Sequence, residues 1–170
     1  MSLYSLTNWN DYAFLVVPTI DYSVRGLCAR PYPGHKRGCP KLNSGHIACP
    51  PLAPLFEQHF DTTFPVFAVI NEFDLRSHME KLAVKNDQWS ERQLSCCLYW
   101  QRTARKQLAE KIDYLLMLEQ FEGYTSTTCP EAMGVNVSET LRSVGIVLEW
   151  PPRNIARQVA LVGKLRIADI

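Results

Sequence analysis

The stretch that decides the fold is Phe64-Pro-Val-Phe-Ala-Val-Ile70, an almost unbroken apolar run. A short run of this kind, rich in β-branched and aromatic residues, predicts a buried strand. Behind it the sequence predicts a helix from about Asp74 to Lys85. Tyr12-Ala-Phe-Leu-Val-Val17 has the same apolar character and predicts a second buried strand.

Toward the C-terminus the pattern changes to helical spacing. Ser90 and Gln93 form a capping-box signature, and apolar residues recur behind them on one helical face. This predicts one long helix that ends near Gln120. Shorter predicted elements are a helical turn at 54–60, a helix capped by Asn136 or Ser138, and strands at 146–150 and 155–162. The mixture predicts a single compact α/β or α+β domain over residues 1–170.

The composition is that of an ordinary globular domain, with 46% hydrophobic and 21% charged residues in 170. A net charge of +1 argues against a nucleic-acid or membrane binder that uses its whole surface. No stretch approaches the roughly 20 apolar residues of a membrane span. The first residues, Met1 to Leu6, lack the features of a signal peptide. We therefore expect a cytoplasmic protein, whose thiols are kept reduced.

A proline-rich loop interrupts the regular pattern over residues 22–54. Eight of the 11 prolines lie between Pro18 and Pro65, which disfavours a long helix or a central strand. A loop of about 30 residues inside a compact domain is usually functional or disordered. Its cysteines favour a functional, metal-binding loop.

Three thiols lie in this loop, Cys28, Cys39 and Cys49, with the spacing C-x10-C-x9-C. Thiolates are soft ligands for zinc, copper(I) and iron–sulfur clusters. The spacing is wider than the C-x2-C pairs of structural zinc sites, and it favours a larger centre, an iron–sulfur cluster of the [4Fe-4S] type. Zinc remains the alternative cofactor, and three thiols that merely pack in a loop remain a third interpretation.

The best candidate for a fourth ligand is Cys129, which lies in a second site element at residues 124–137. With only three thiolates, one iron would keep an open position for chemistry. Cys96 and Cys97 fall inside the predicted long helix, where neighbours point about 100° apart and cannot both face one site. Cys97 is predicted to fill the core.

The loop is strongly basic, because no acid lies between Asp21 and Glu57. Basic groups there would offset a negative cluster, bind a small anion, or simply be solvated. The candidate ligand-binding residues are Arg25, Arg30, His35, Lys36, Arg37 and His46, with Lys41 adding to the charge.

These motifs resemble the small prokaryotic predicted metal-binding proteins of unknown function, whose signature is a cysteine-rich loop closed by C-P-P. The matching stretches are Arg30-Pro-Tyr-Pro-Gly-His35, Gly38-Cys-Pro40 and Cys49-Pro-Pro51, followed by Pro130-Glu-Ala-Met-Gly-Val-Asn-Val137. The resemblance implies metal ligation by Cys28, Cys39 and Cys49, and more weakly by Cys129. It implies no particular reaction, and this chain lacks the C-x2-C pairs of many relatives.

Three functions follow from these features. The first is an iron–sulfur protein in redox or open-iron chemistry, with a small anionic substrate or a redox partner. The second is a zinc-stabilised, non-enzymatic module that contacts a protein or nucleic acid, although only Tyr22 and Tyr32 interleave with the basic residues. A metal-free hydrolase that uses Cys39 with His35 or His46 ranks last, since no G-x-S-x-G signature is present. Whether the chain is an enzyme stays open.

Overall fold

The computed structural model describes residues 8–31, 36–39, 41–42 and 45–167. The strands formed by these residues are β1 (Ala13–Val16), β2 (Val66–Asp74), β3 (Tyr124–Thr127) and β4 (Ile155–Lys164). The α-helices in the same part of the chain are α1 (Phe56–His59), α2 (Leu75–Lys85), α3 (Glu91–Leu94), α4 (Gln101–Leu116) and α5 (Val137–Arg142). Short 3₁₀ helices occupy Trp9–Asp11, Tyr22–Ala29, Cys97–Tyr99, Glu119–Phe121 and Pro130–Met133.

The strands of the described residues form one antiparallel sheet in the order β1-β2-β4-β3. β2 and β4 form its centre, with a register that runs from Phe67 opposite Val162 to Asp74 opposite Ile155. The sequence prediction of an α/β or α+β domain is confirmed in its α+β form, because each pairing between the named strands is antiparallel. The two predicted strands β1 and β2 lie side by side.

One face of the sheet is covered by α4, a 16-residue amphipathic helix. Leu108, Ile112 and Leu115 are buried against Val69 and Ala160 of the central strands. Burying a leucine or isoleucine side chain contributes about 1.5–3 kcal/mol, so this stripe fixes the helix on the sheet. Within the described part of the chain, no helix has the length and apolar character needed to cross a membrane.

The opposite face, which we call the α5 face, carries the other large core. Phe56 and Phe60 pack there with their ring centroids 4.6 Å apart. Met133 and Leu141 close the same core over Ala68 and other residues of β2 and β4. Both Phe56 and Leu141 are fully buried. This core brings the Pro130–Met133 turn and the proline-rich loop to one side of the molecule.

The single long helix predicted from Ser90 to Gln120 is wrong. The capping box at Ser90 and Gln93 does start a helix, but α3 ends at Leu94. Before α4 the chain passes through the 3₁₀ helix Cys97–Tyr99 instead of continuing as an α-helix. Trp100 is only 7% exposed there, and its ring stacks on Phe73. Burial of one indole outweighs continuation of the helix.

The strand predicted at 146–150 is also absent, while the neighbouring prediction at 155–162 is confirmed by β4. Segment 146–150 runs irregularly on the α5 face, with Ile146 and Leu148 packed on the core and Val147 exposed. β3, with the sequence Tyr-Thr-Ser-Thr, was not predicted, because its residues are polar and only half-buried.

Candidate metal centre

The proline-rich loop begins with the 3₁₀ helix Tyr22–Ala29, here called the loop helix. Asp21 starts it by accepting a hydrogen bond from the Ser23 N–H at 3.0 Å. Within this helix, Val24 is buried. Eight residues are long for a 3₁₀ helix, so contacts outside the helix must hold it. Cys28 lies near its C-terminal end.

Cys39 is held directly beside Cys28 by the backbone. The Cys39 N–H donates to the Cys28 carbonyl at 2.7 Å. The preceding residue, Gly38, has φ +81°, and a Cβ on it would come within 2.5 Å of the Cys28 carbonyl oxygen. Only glycine allows both this conformation and this close approach. Gly38 therefore sets the contact between the first two thiol segments.

Cys49 lies in a turn that is tied to the same loop helix. Its N–H donates to the His46 carbonyl, and its carbonyl accepts from the Ala53 N–H at 2.8 Å. Arg25 of the loop helix donates from Nη2 to the Ala53 carbonyl at 2.9 Å and to the Pro51 carbonyl at 3.4 Å. The guanidinium predicted to bind a ligand thus binds backbone carbonyls and positions the third thiol segment.

Cys129 comes from the far side of the sequence, just before the Pro130–Met133 turn. The loop helix meets this turn where Asp21 N–H donates to the Gly134 carbonyl at 2.8 Å and Ile20 pairs with Val135. Gly134 has φ +91°, and a Cβ there would lie 2.5 Å from the ring of Tyr22. The loop helix is therefore anchored to all three segments that carry the other thiols.

The thiols of Cys28 and Cys129 are each coupled electrostatically to other predicted ligands. Burial raises the pKa of the Cys28 thiol, and four nearby acidic groups raise it further: Cys39, Cys49, Glu131 and Cys129. Burial also raises the pKa of Cys129, with Cys49 and Glu131 adding to the shift and Lys41 opposing it. Charge interactions therefore link all four predicted ligands, Cys28, Cys39, Cys49 and Cys129, and all six cysteines are free.

Glu131 is the site residue that the sequence did not single out. Its side chain is coupled to both Cys28 and Cys129, and burial raises its pKa, against a hydrogen bond from its own backbone N–H. The signal that the sequence offered was its position directly after Cys129 and Pro130, in the second site element.

The other predicted residues lie outside this group or beyond description. Arg30, Lys36, Arg37 and His46 are exposed, and His46 Nδ1 accepts from the Ala48 N–H at 3.3 Å. His35 and the N-terminal Met1 to Leu6 lie outside the described residues. The prediction that Cys97 fills the core is wrong, because the helix is interrupted there and the thiol is exposed.

Among residues 8–31, 36–39, 41–42 and 45–167, no group of three or more His, Cys, Asp or Glu side chains is arranged so as to hold a metal ion. The resemblance to predicted metal-binding proteins stays a prediction. Comparison with protein-family models, with curated proteins and with solved structures finds no match for this chain.

Proposed function

We propose that the chain is an iron–sulfur protein whose cluster, of the [4Fe-4S] type, is held by Cys28, Cys39, Cys49 and Cys129. The observation that carries this proposal is the loop helix, which binds all three segments that bear the other thiols. Arg25 links it to the Cys49 turn, the Gly38 contact links it to Cys39, and the Gly134 carbonyl links it to the Cys129 turn.

The chemistry of the donors supports a metal rather than a packing role. Four partly accessible, unpaired thiols in a reduced protein are soft donors suited to iron–sulfur or zinc. Apolar packing alone does not explain why the thiol of Cys28 is coupled to three other thiols and to the carboxyl group of Glu131. The wide C-x10-C-x9-C spacing favours the cluster over a single zinc ion.

A cluster held by all four thiolates would supply electron transfer, whereas one held by the three loop thiols alone would leave one iron open for Lewis-acid chemistry. The protein's own residues would set its surroundings. Lys41, which already opposes the raised pKa of Cys129, would offset the negative charge of the ligands. Arg30, Lys36 and Arg37 are exposed and would guide a small anionic substrate or a redox partner to the loop. This assignment requires a reducing compartment, which is the cytoplasm.

The direct test is metal and acid-labile sulfide analysis of protein purified without oxygen, with an absorption spectrum. We expect about four iron and four sulfide per chain and a broad band near about 400 nm. One zinc without sulfide would overturn the cluster and move the site to a zinc-stabilised module. Folded, reduced protein that contains neither metal would overturn both versions.

Serine variants locate the ligands. Cys28→Ser, Cys49→Ser and Cys129→Ser should each lower the iron content, with the far-UV circular dichroism spectrum as the check on folding. Cys97→Ser is the matched control, because its thiol is exposed and is not coupled to the other four. Equal iron in Cys129→Ser and Cys97→Ser would remove Cys129 from the ligand set.

A further inference from the structure

A second candidate site lies beside β2, between α4 and segment 145–147, in a cavity of about 430 Å³ that shares no residue with the four thiols or Glu131. One wall is apolar and consists of Phe14, Ile70, Ile146 and Val147. The remaining wall carries charged side chains, among them Glu72, Lys111 and Arg157. An apolar wall with a few convergent polar groups is the ordinary form of a small-molecule site.

Arg157 lines the cavity and binds both Glu72 and segment 145–147. It lies opposite Glu72 across the β2–β4 ladder, and its Nε and Nη2 are both 2.7 Å from Glu72 Oε1. Its Nη1 donates to the Val147 carbonyl at 3.2 Å, which holds segment 145–147 over the cavity. Both guanidinium contacts to Glu72 go to the same oxygen, so Oε2 of Glu72 still accepts.

Lys111 supplies a cation without a carboxylate partner. It extends from α4 and donates from Nζ to the Ile70 carbonyl at 3.1 Å, with its ammonium 5.3 Å from the centre of the Tyr12 ring. An ammonium group has three donors, so two remain for a ligand. Burial lowers the pKa of Lys111, and only Glu72 opposes this shift. A bound anion would satisfy the remaining donors and offset the burial.

Lys111 and Glu72 therefore line the cavity as coupled opposite charges that do not pair with each other, because Glu72 pairs with Arg157 instead. A ligand that carries both an anionic and a cationic group can bridge them, whereas a simple acid or amine satisfies one side only. Asp11 also lines the cavity and adds to its acidic side. The apolar wall then favours a ligand whose remaining part is apolar.

We propose that this cavity binds a free α-amino acid with an apolar side chain, with its carboxylate on Lys111, its ammonium on Glu72 and its side chain against Phe14 and Ile146. The ligand class follows from three complementary surfaces in one cavity. The proposal is independent of the thiol site, and either one can fail alone.

The test is a titration of the full-length, ¹⁵N-labelled protein with L-leucine, followed by amide chemical shifts. Signals of Ile70 and of segment 145–147 should move saturably. 4-Methylpentanoate, which lacks the ammonium, and 3-methylbutylamine, which lacks the carboxylate, should each bind at least about tenfold more weakly. No saturable shift with leucine up to about 10 mM would overturn the proposal.

Variants assign the contacts. Lys111→Met should weaken leucine at least about tenfold and leave 3-methylbutylamine unchanged, because the amine has no carboxylate to lose. Lys106→Met on the same helix is the matched control, since its side chain is 78% exposed, and it should change leucine affinity less than about twofold. Val147→Glu, at an exposed position, should also block binding without a core substitution. Equal leucine affinity in Lys111→Met and Lys106→Met would overturn the assignment.

Discussion

Gly38 shows how one residue controls the candidate metal centre. Its positive φ lies in the region that side chains rarely adopt, and its missing Cβ leaves room for the carbonyl of Cys28. The Cys39–Cys28 hydrogen bond follows directly from this turn. A side chain at this position would be strained by the positive φ. Its Cβ would also lie 2.5 Å from the carbonyl oxygen of Cys28, which belongs to the loop helix.

Gly38→Ala should lower the free energy of unfolding by about 1–3 kcal/mol, because strain at positive φ is compounded by the steric clash. Urea denaturation measures the loss. The matched control is Gly45→Ala in the same loop, where φ is +78° but no atom lies within 4 Å of the added Cβ. Gly38→Ala should be the more destabilising variant. Equal losses would mean that the contact with Cys28 does not contribute.

The sequence named four candidate thiol ligands, an assignment that stays a prediction, but it did not show how their segments are held. Soft donors in a proline-rich loop are visible as residue types, so Cys28, Cys39, Cys49 and Cys129 could be named. The role of Arg25 could not, because a guanidinium that binds backbone carbonyls has the same sequence signature as one that binds an anion. Glu131 was missed because the burial of a lone acid depends on tertiary contacts across the chain.

At the scale of elements, α5 connects the sheet to the loop helix through one buried hydroxyl. Thr140 is fully buried; its Oγ1 accepts from the Thr19 N–H at 2.9 Å and donates to the Asn136 carbonyl at 2.8 Å. The Asn136 N–H donates to the Thr19 carbonyl at 2.8 Å. These bonds fix the chain between β1 and the loop helix, and with it the position of Cys28.

Thr140→Val keeps the shape of the side chain but leaves the Thr19 N–H without its partner. We expect a loss of about 1–3 kcal/mol in the free energy of unfolding. Urea denaturation provides the measurement, and Ser138→Ala, which removes an exposed hydroxyl from the same helix, provides the control. A Thr140→Val protein as stable as the control would show that water replaces the lost bond.

Elements with strong local patterns were predicted, and elements set by tertiary contacts were not. α2 lies within one residue of its predicted position, and β2 contains most of the predicted strand but starts two residues later and ends four residues later. The interruption before α4 depends on Trp100, whose indole donates to the Ser95 carbonyl and stacks on Phe73. Segment 146–150 does alternate between half-buried and exposed residues as a strand would, but within the described part of the chain it pairs with none of β1 to β4.

For the whole molecule, His78 makes stability depend on pH. Burial lowers its pKa, with Lys81 adding to the shift, and its Nε2 is buried without a hydrogen-bond partner. The ring packs against Phe73, with centroids 5.5 Å apart. The unfolded chain therefore takes up a proton near pH 6.5, before the native protein does. Stability is fully present above this value and falls as the pH drops toward the native pKa.

His78→Phe should flatten this dependence, since phenylalanine binds no proton and suits a site beside an aromatic ring. Urea denaturation at pH 7.5 and at pH 5.5 measures the difference for each protein. His46→Gln is the control, because it removes an exposed imidazole without touching the His78 site. The idea fails if His78→Phe loses as much stability on acidification as the His46→Gln protein.

The position of β4 in the centre of the sheet has a consequence for biosynthesis. At the usual rate of about 5–20 residues per second, a ribosome releases Cys129 several seconds after Cys49. β2 and β3 cannot be joined until residues 155–164 of β4 have also emerged, because β4 lies between them. The nascent chain therefore carries three loop thiols for seconds without the framework that orients them. Any ligand that needs all four thiols can therefore bind only after Cys129 has emerged, several seconds after the three loop thiols.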